Sequence, residues 1–407
     1  MFDPISTYRI QFHKDFTFSD FRAAIPYLHR LGIKTIYASP IYQAVPGSMH
    51  GYDVVNPNRI SSEIGTIDQL REISVLLKEA GMSWIQDIVP NHMGFHQHNE
   101  WLMDVLKKGG KSAYLTYFDL ISTDLDKEPL MVPFLGDDLD NVIANGELEL
   151  VDNNKGRFLK YYENHWPVRE DIDLKGLDVG AVAQQQYYRL CCHRETNTTI
   201  NYRRFFTVNS LICLNVQNQE VFSDYHGLTK SLIDEGIFQG LRIDHVDGLA
   251  DPTAYMEQLR QLCGPEIYIV VEKILEPGEE LPTSWPVQGT TGYDYLGMVN
   301  QLFTNDKAER NFDAFYKNLG RHTNEVQQLI LKKKRTFLDC YMQGELENLY
   351  QLLVSLKLLD RQPDDEEASI FKAVISEILV RCPVYRFYSN QYPLLPEDLS
   401  ALNKILE

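Results

Sequence analysis

Short apolar runs alternate with segments of helical periodicity over the first hundred residues. The runs at residues 7–12, 35–38 and 84–89 have the length and composition of buried β-strands. Between the second and third runs, Thr66 is followed three residues later by Gln69, a pattern typical of a helix N-terminus. Strands that alternate with helices in this way indicate a parallel α/β fold.

The alternation stops after the third predicted strand and resumes in the second half of the chain. Residues 95–200 show no dominant period and mix glycine, asparagine and aromatic side chains, so we predict an insertion there. Two further strands are predicted at residues 240–243 and 268–271, with a helix between them. Beyond residue 303 the apolar positions fit helices alone, which predicts a C-terminal helical segment after five strands.

Composition and charge exclude several classes of protein. The chain has 407 residues, of which 44% are hydrophobic, so it can bury a large core and is too apolar for long disorder. Its formal net charge of -18 opposes binding to a nucleic acid backbone or to an anionic membrane. We find neither a signal-peptide pattern nor an apolar run of about 20 residues, which predicts a cytoplasmic protein without membrane spans.

An arginine and an aspartate lie on the same side of the fourth predicted strand. Arg242 and Asp244 are two residues apart, and side chains at that spacing share one face of a strand. A guanidinium lowers the pKa of a neighbouring carboxyl group, so we expect Asp244 to stay ionised, as a nucleophile requires. The alternative is a structural ion pair that takes no part in chemistry.

A glutamate ends the fifth predicted strand. The apolar residues before Glu272 would raise the pKa of its carboxyl group towards a value suited to a general acid. Adjacent strands lie about 4.8 Å apart, so Asp244 and Glu272 can approach the separation of about 5–5.5 Å that is typical of retaining glycosidases. Glu272 could instead cap a helix or pair with Lys273.

Two clusters of polar and aromatic residues follow the second and third predicted strands. One cluster contains His50, Tyr52 and Asp53, and the other contains Asp87 and His92. Sugar recognition needs flat aromatic faces for C–H surfaces, together with fixed donors and acceptors for hydroxyl groups. Both clusters therefore suit a carbohydrate site.

The sequence indicates no cofactor. His92, His96 and His98 raise the alternative of a metal site, but no carboxylate completes a recognisable ligand pattern, so we expect no metal. No glycine-rich phosphate loop is present, which argues against nucleotide chemistry.

Several longer segments carry a resemblance to a known family. The segments DIVPNH, GLRIDHVDGL and VVEKIL resemble regions of the α-amylase superfamily of glycoside hydrolases. Further blocks, among them YASPIYQAVPGSMHGYDVVNPNRI, INYRRFF and GTTGYDYL, resemble the maltooligosyl trehalose synthase family within it. The resemblance implies a (β/α)8 TIM barrel. It also implies a reaction that converts the reducing-end α-1,4 linkage of a maltooligosaccharide or α-1,4-glucan to an α,α-1,1 linkage.

The same resemblance implies a role for each candidate residue. Asp244 would be the nucleophile that forms a glycosyl-enzyme intermediate, and Glu272 would be the general acid and base. Arg242 would hold Asp244 in place. The other residues expected to bind the sugar are His50, Tyr52, Asp53, Asp87, His92 and His245.

The sequence departs from the family pattern in two respects. Asn56, Thr207 and Val246 replace residues usual in the family, which leaves the catalytic positions intact. No His-Asp dipeptide occurs, so the third catalytic carboxylate and barrel strands 6 to 8 are expected outside this sequence. We therefore expect an incomplete (β/α)8 barrel, whose remainder comes from a second polypeptide or has been lost.

The predicted organisation has four segments. Residues 1–94 hold barrel strands 1 to 3, residues 95–200 an inserted subdomain, residues 201–302 barrel strands 4 and 5, and residues 303–407 a helical subdomain. Two alternatives to synthase activity stay open. The chain could be another α-glucan hydrolase or transglucosidase on the same scaffold, or an inactive fragment that binds maltooligosaccharide.

Overall fold

The computed structural model describes residues 2–154, 156–319, 326–359, 364–390, 392–394 and 396–406 of the chain. The β-strands of these residues are β1 Thr7–Ile10, β2 Thr35–Ala38, β3 Tyr42–Ala44, β4 Val54–Ile60, β5 Ser83–Ile88, β6 His92–Gly94, β7 Leu130–Leu135, β8 Leu148–Asn153, β9 Gly156–Tyr161, β10 Asn164–Pro167, β11 Tyr188–Cys192, β12 Arg204–Phe205, β13 Val208–Cys213, β14 Gly240–Ile243, β15 Tyr268–Val271 and β16 Gly289–Thr290. The α-helices are α1 Phe18–Leu31, α2 Ile67–Glu79, α3 Glu100–Lys108, α4 Leu139–Ala144, α5 Val179–Ala183, α6 Gln219–Asp234, α7 Pro252–Cys263, α8 Tyr293–Gln301, α9 Glu309–Asn318, α10 Val326–Tyr341, α11 Gln343–Ser355, α12 Asp365–Arg381 and α13 Pro396–Leu406.

Five parallel strands form the main sheet. Their order is β1, β2, β5, β14 and β15, with the two-residue β16 at the edge. Each ladder between neighbours in this series of five is parallel. Helix α1 connects β1 to β2, α2 precedes β5, α6 precedes β14, and α7 connects β14 to β15. Sequential parallel strands joined by helices are the arrangement of the first five strands of a (β/α)8 barrel, which confirms the predicted fold class.

The N-terminus of α2 has the predicted capping box. The Thr66 hydroxyl oxygen accepts the backbone N–H of Gln69 at 3.2 Å, and the Gln69 side-chain oxygen accepts the backbone N–H of Thr66 at 2.9 Å. A cap of this kind contributes about 1 kcal/mol. The helix buries Leu70, Ile73 and Leu77, which lie at helical spacing, so its apolar face packs against the core.

Aromatic rings pack around Trp84 of β5. Its ring stacks on that of Phe12 and meets that of Phe21 edge-on, with centroids 5.8 Å apart in both pairs. The indole N–H donates to Gln86 Oε1 at 3.1 Å, so the polar atom of this buried side chain is paired. Truncation of a buried tryptophan costs about 3–5 kcal/mol. The cluster therefore anchors β5, which also carries Asp87.

The insertion after β5 contains strands that its aperiodic sequence did not predict. β8, β9 and β10 form an antiparallel sheet, and β7 pairs with β11 in a parallel ladder. Beyond the insertion, β13 pairs with both β12 and β6. Register shifts interrupt the β7–β11 and β12–β13 ladders, and such shifts break the two-residue period by which a strand is recognised in sequence.

The chain separates into two compact units. The first contains residues 1–195, 201–272 and 282–289, and the second contains residues 196–200, 273–281 and 290–407. In the second unit, Leu346 and Tyr350 pack with Ile375 in an apolar cluster.

Beyond residue 303 the described residues form helices and no strand, as predicted. The division into four segments stays a prediction. No helix in the described ranges is both long and apolar enough to cross a membrane.

Candidate active site

Three acidic residues lie at the carboxyl edge of the main sheet. Asp87 is near the end of β5, Asp244 follows β14, and Glu272 follows β15. The backbone N–H of Asp244 donates to the carbonyl oxygen of Ile88 at 2.9 Å, and that of Glu272 donates to Ile243 at 2.8 Å. Pairing thus continues past the strands and brings the acids together at the edge where barrel enzymes hold their active sites.

One guanidinium contacts all three carboxylates. Arg242 Nη1 lies 2.6 Å from Asp244 Oδ1 and 3.0 Å from Asp87 Oδ1. Arg242 Nη2 lies 2.8 Å from Glu272 Oε1. The side chains of Arg242 and Asp87 are 6% and 0% exposed. A buried charge is tolerated when it is paired and hydrogen-bonded. Loss of one of these side chains would therefore leave another charge of the cluster buried without its partner.

The pKa values of the two predicted catalytic acids are shifted against expectation. Burial, together with the charges of Asp87 and Glu272, raises the pKa of Asp244 to about 8, against the opposing effect of Arg242. Burial also acts to raise the pKa of Glu272, but Arg242, the His245 N–H and Asp244 hold it below its ordinary value. Both predicted directions are therefore wrong: burial and the charge of Asp87 outweigh Arg242 at Asp244, whereas Arg242 and the His245 N–H outweigh burial at Glu272.

The ionisation of Asp244 and that of Glu272 are linked, because each acid affects the pKa of the other. With the pKa of Asp244 raised to about 8 and the pKa of Glu272 lowered, the pair holds one proton at neutral pH. The separation of about 5–5.5 Å that is expected of the two carboxyl groups in a retaining glycosidase stays a prediction.

Two tyrosines hold Asp87 in place. Tyr37 of β2 and Tyr52 donate their hydroxyl protons to Asp87 Oδ2 at 2.8 and 2.6 Å. Arg9 of β1 in turn donates to the Tyr52 hydroxyl at 3.3 Å. Burial raises the pKa of Asp87, and Arg242 and the two tyrosines oppose that shift. Tyr52 was predicted from the sequence and Tyr37 was not. A polar aromatic residue near the carboxyl end of β2 is the signal that could have identified Tyr37.

The two predicted histidines His92 and His245 contact the same phenylalanine. The ring centroid of Phe205 lies 4.6 Å from that of His92 and 4.8 Å from that of His245. Burial and the neighbouring His245 lower the pKa of His92 to about 3, so its imidazole is neutral at neutral pH. Burial also lowers the pKa of His245. The backbone N–H of His245 donates to Glu272 Oε2 at 2.9 Å, which connects the aromatic group to the acids.

An exposed phenylalanine adjoins these rings. Phe206 is 46% exposed, and its centroid lies 5.0 Å from that of His245. The φ angles of Phe206 and His245 are 48° and 46°, a conformation that costs a non-glycine residue about 1–2 kcal/mol. Such strained residues cluster at ligand-contacting positions. Phe205 and Phe206 were not predicted as site residues, and two adjacent aromatic residues before a turn were the available signal.

His50 and Asp53 lie on the loop between β3 and β4. The His50 Nδ1 atom accepts the backbone N–H of Tyr52 at 3.0 Å and is 3.8 Å from Asp53 Oδ1. Asp53 Oδ1 accepts the hydroxyl of Ser48 at 2.5 Å. These contacts connect His50 and Asp53 to Tyr52 and not to Arg242, so the structure places them beside the carboxylate cluster and not within it.

The histidines that raised the alternative of a metal site have separate surroundings. The rings of His96 and His98 are 5.1 Å apart, whereas His92 packs on Phe205. Within the described ranges, no group of three or more histidine, cysteine, aspartate or glutamate side chains could hold a metal ion.

Comparisons with known proteins give a family match and several similar proteins. The family model of the alpha amylase catalytic domain matches residues 22–266. A Mycobacterium tuberculosis (strain H37Rv) protein named as a maltooligosyl trehalose synthase is 35% identical over 404 residues, which cover 97% of this chain and 50% of that protein. A cyclomaltodextrinase of Thermoanaerobacter pseudethanolicus is 28% identical over 165 residues, which cover 40% of this chain and 28% of that protein.

Solved structures give a consistent result. The maltooligosyltrehalose synthase of Arthrobacter ramosus matches with a TM-score of 0.86 and 34% identity, over 98% of this chain and 50% of that one. These matches extend over nearly all of this chain. The chain itself spans about half the length of the relatives that it matches. Because the catalytic-domain model covers more than half of its residues, the chain belongs to the alpha-amylase family.

Proposed function

We propose that this chain carries the acid pair of an intramolecular transglucosylase. Its reaction converts the reducing-end α-1,4 linkage of a maltooligosaccharide into an α,α-1,1 linkage, the linkage of trehalose. The observation that carries the proposal is the contact of Asp244 and Glu272 with Arg242 at the ends of neighbouring strands. The similarity to maltooligosyl trehalose synthases extends along nearly the whole chain, and it supports this reaction over the other reactions of the family.

The first step transfers the sugar chain to the protein. A proton on Glu272 passes to the glycosidic oxygen as the bond between that oxygen and C1 breaks. Ionised Asp244 forms a bond to C1, which gives a glycosyl ester and a free glucose. The pair supplies the one proton that this step needs, which has to be on Glu272 and not on Asp244 when the glycosidic bond breaks.

The second step forms the new linkage. The released glucose turns within the site, and its anomeric hydroxyl attacks C1 of the glycosyl ester. Glu272 accepts the hydroxyl proton as the bond between C1 and Asp244 breaks. The pair regains its single proton, no water is consumed, and the product keeps the number of glucose units of the substrate.

Retention of the released glucose requires a site from which water is excluded. Phe205, Phe206 and the rings of His92 and His245 form an apolar surface that reaches Glu272 through the His245 backbone. The neutral imidazole of His92 has one donor and one acceptor, so it can bind a sugar hydroxyl without introducing a charge. This surface would slow the competing attack of water on the glycosyl ester.

Proton NMR of maltopentaose incubated with the purified chain tests the proposal. The reducing-end anomeric signals should disappear while an α,α-1,1 signal grows, and no shorter oligosaccharide should form. Asp244→Asn and Glu272→Gln should each abolish the conversion and leave the circular dichroism spectrum unchanged. Glu72→Gln, which changes an exposed carboxylate on α2, is the matched control and should convert at the wild-type rate. Wild-type turnover in either acid variant would contradict the roles given to these residues.

Other products would assign another function. Release of glucose or maltose without loss of reducing ends would identify a hydrolase or transglucosidase on the same scaffold. Binding of maltopentaose without any conversion would identify a maltooligosaccharide-binding chain. The second polypeptide, the third carboxylate and the cytoplasmic location expected from the sequence stay predictions.

A further inference from the structure

The insertion carries a cavity away from the carboxylate cluster. Its volume is about 510 Å³. It is lined by β8, β9, the residues before β8 and the turn after β9, namely Gly146, Glu147, Glu149, Lys160, Tyr162 and Glu163. Small-molecule sites have volumes of about 300–1,000 Å³, so this cavity is large enough to hold part of a ligand.

Tyr162 is presented at this cavity in an unfavourable backbone conformation. It lies in the two-residue turn of the β9–β10 hairpin, has a φ of 50° and is 63% exposed. A positive φ in such a turn favours glycine or asparagine and costs other residues about 1–2 kcal/mol. The ring of Tyr161 packs edge-on against that of Tyr162, with centroids 4.7 Å apart. A strained, exposed and oriented ring is typical of a ligand contact.

The groups around the ring suit a neutral ligand with many hydroxyl groups. Tyr162 offers a flat face for C–H surfaces, and the carboxylates of Glu147 and Glu163 offer acceptors. Lys160 Nζ lies 3.4 Å from Glu149 Oε2, so the cation at this cavity already has a charged partner, and a small anion would compete with it. We infer that the cavity is a second carbohydrate site, at which a segment of an α-1,4-glucan stacks on Tyr162.

The hairpin is joined to the segment that follows His92. The Gln97 side-chain N–H donates to the backbone carbonyl of Glu163 at 3.3 Å, and Gln97 Oε1 lies 2.9 Å from His165 Nδ1. A glucan bound at Tyr162 would therefore be held against an element that is connected to the candidate active site. The inference takes its ligand class from the proposed function, but it depends on different side chains.

Isothermal titration calorimetry with cycloheptaamylose tests the inference. This cyclic α-1,4-glucan has no reducing end, so it is not a substrate of the proposed reaction. Tyr162→Gly accepts the positive φ and preserves the turn, and we expect it to weaken binding by about three- to tenfold. Tyr162→Phe keeps the ring and should bind like the wild type. Tyr27→Ala removes another exposed tyrosine, on α1, and should leave the affinity unchanged.

Unchanged affinity in Tyr162→Gly, or an equal loss in Tyr27→Ala, would overturn the inference. A chain that converts maltopentaose but does not bind cycloheptaamylose would also overturn it, and the proposed function would stand. A chain that binds cycloheptaamylose through Tyr162 but leaves maltopentaose unchanged would support the inference and contradict the proposed function.

Discussion

Replacement of Arg242 by glutamine removes the guanidinium that contacts Asp87, Asp244 and Glu272. The arginine and Asp87 are almost fully buried, and their N–O distance is 3.0 Å. Removal of one partner from a buried ion pair costs about 3–5 kcal/mol, because the remaining charge has lost its partner in a medium of low polarity. We therefore expect Arg242→Gln to lower the free energy of unfolding by about 3–5 kcal/mol at pH 8.

The loss should shrink as the pH falls. Arg242 lowers the pKa of each of the three carboxyl groups, so all three pKa values rise in the variant. The folded variant then binds more protons than the folded wild type. Each additional bound proton reduces the stability difference between wild type and variant by about 1.4 kcal/mol for each unit by which the pH falls. In the wild type, the lowered pKa of Glu272 gives stability above the ordinary glutamate pKa, and this stability disappears as the pH falls through the lowered value. The variant has less of this contribution to lose, because it lacks the effect of Arg242 on Glu272.

Urea unfolding at pH 8 and pH 5, followed by tryptophan fluorescence, measures both effects. All four tryptophans belong to the first unit and so report on the part that contains the cluster, namely Trp84, Trp101, Trp166 and Trp285. Arg22→Gln is the matched control, because Arg22 contacts Glu72 at 3.0 Å with both side chains more than half exposed. It should cost less than about 1 kcal/mol at either pH. A loss below about 1 kcal/mol in Arg242→Gln, or an equal loss at both pH values, would refute the reasoning.

Three further substitutions test separate contacts. Tyr37→Phe removes a hydroxyl donor from Asp87 and should lower the free energy of unfolding by about 1–2 kcal/mol in urea; an unchanged value would show that the bond contributes nothing. Phe206→Gly relieves a positive φ and should raise the melting temperature by an amount equivalent to about 1 kcal/mol, and a lower melting temperature would mean that the ring contacts outweigh the strain. Burial lowers the pKa of His226 from 6.5 to about 4, so its contribution to stability is present above pH 6.5 and is lost as the pH falls through 4. His226→Gln should flatten the fall in melting temperature between pH 7 and pH 5, and an unchanged slope would assign that fall to other groups.

The proximity of Asp244 and Glu272 was predictable because each of them follows the end of a predicted strand. Residues 35–38, 240–243 and 268–271 match β2, β14 and β15 without a shift. Once β14 and β15 pair in parallel, Asp244 and Glu272 must lie together at the carboxyl edge of the sheet. Short apolar runs bounded by polar residues were sufficient to predict this arrangement.

The ionisation of the site was not predictable in the same way. The pKa of Asp244 depends on its burial and on the charge of Asp87, which the pairing of β5 with β14 brings to the same guanidinium. Tyr37 and Phe206 become site residues through contacts with distant parts of the chain, and a period-based pattern carries no information about such contacts. In the insertion, a register shift interrupts the β7–β11 ladder. The β8–β9 ladder is continuous, but β8 is mostly exposed, so no buried apolar run marks it in the sequence.

The contact between Arg242 and Asp87 also has a consequence for the order of folding. The two residues are 155 positions apart, and the whole insertion lies between them. Closure of so long a loop costs more chain entropy than closure of the short connection between β14 and β15, and contacts of high sequence separation slow folding. We therefore expect β5 and β14 to pair late, after the segments on either side have acquired their own structure. Until that pairing forms, Asp87 lacks its guanidinium partner, so the candidate active site acquires its charge distribution in the same step that joins the two parts of the sheet.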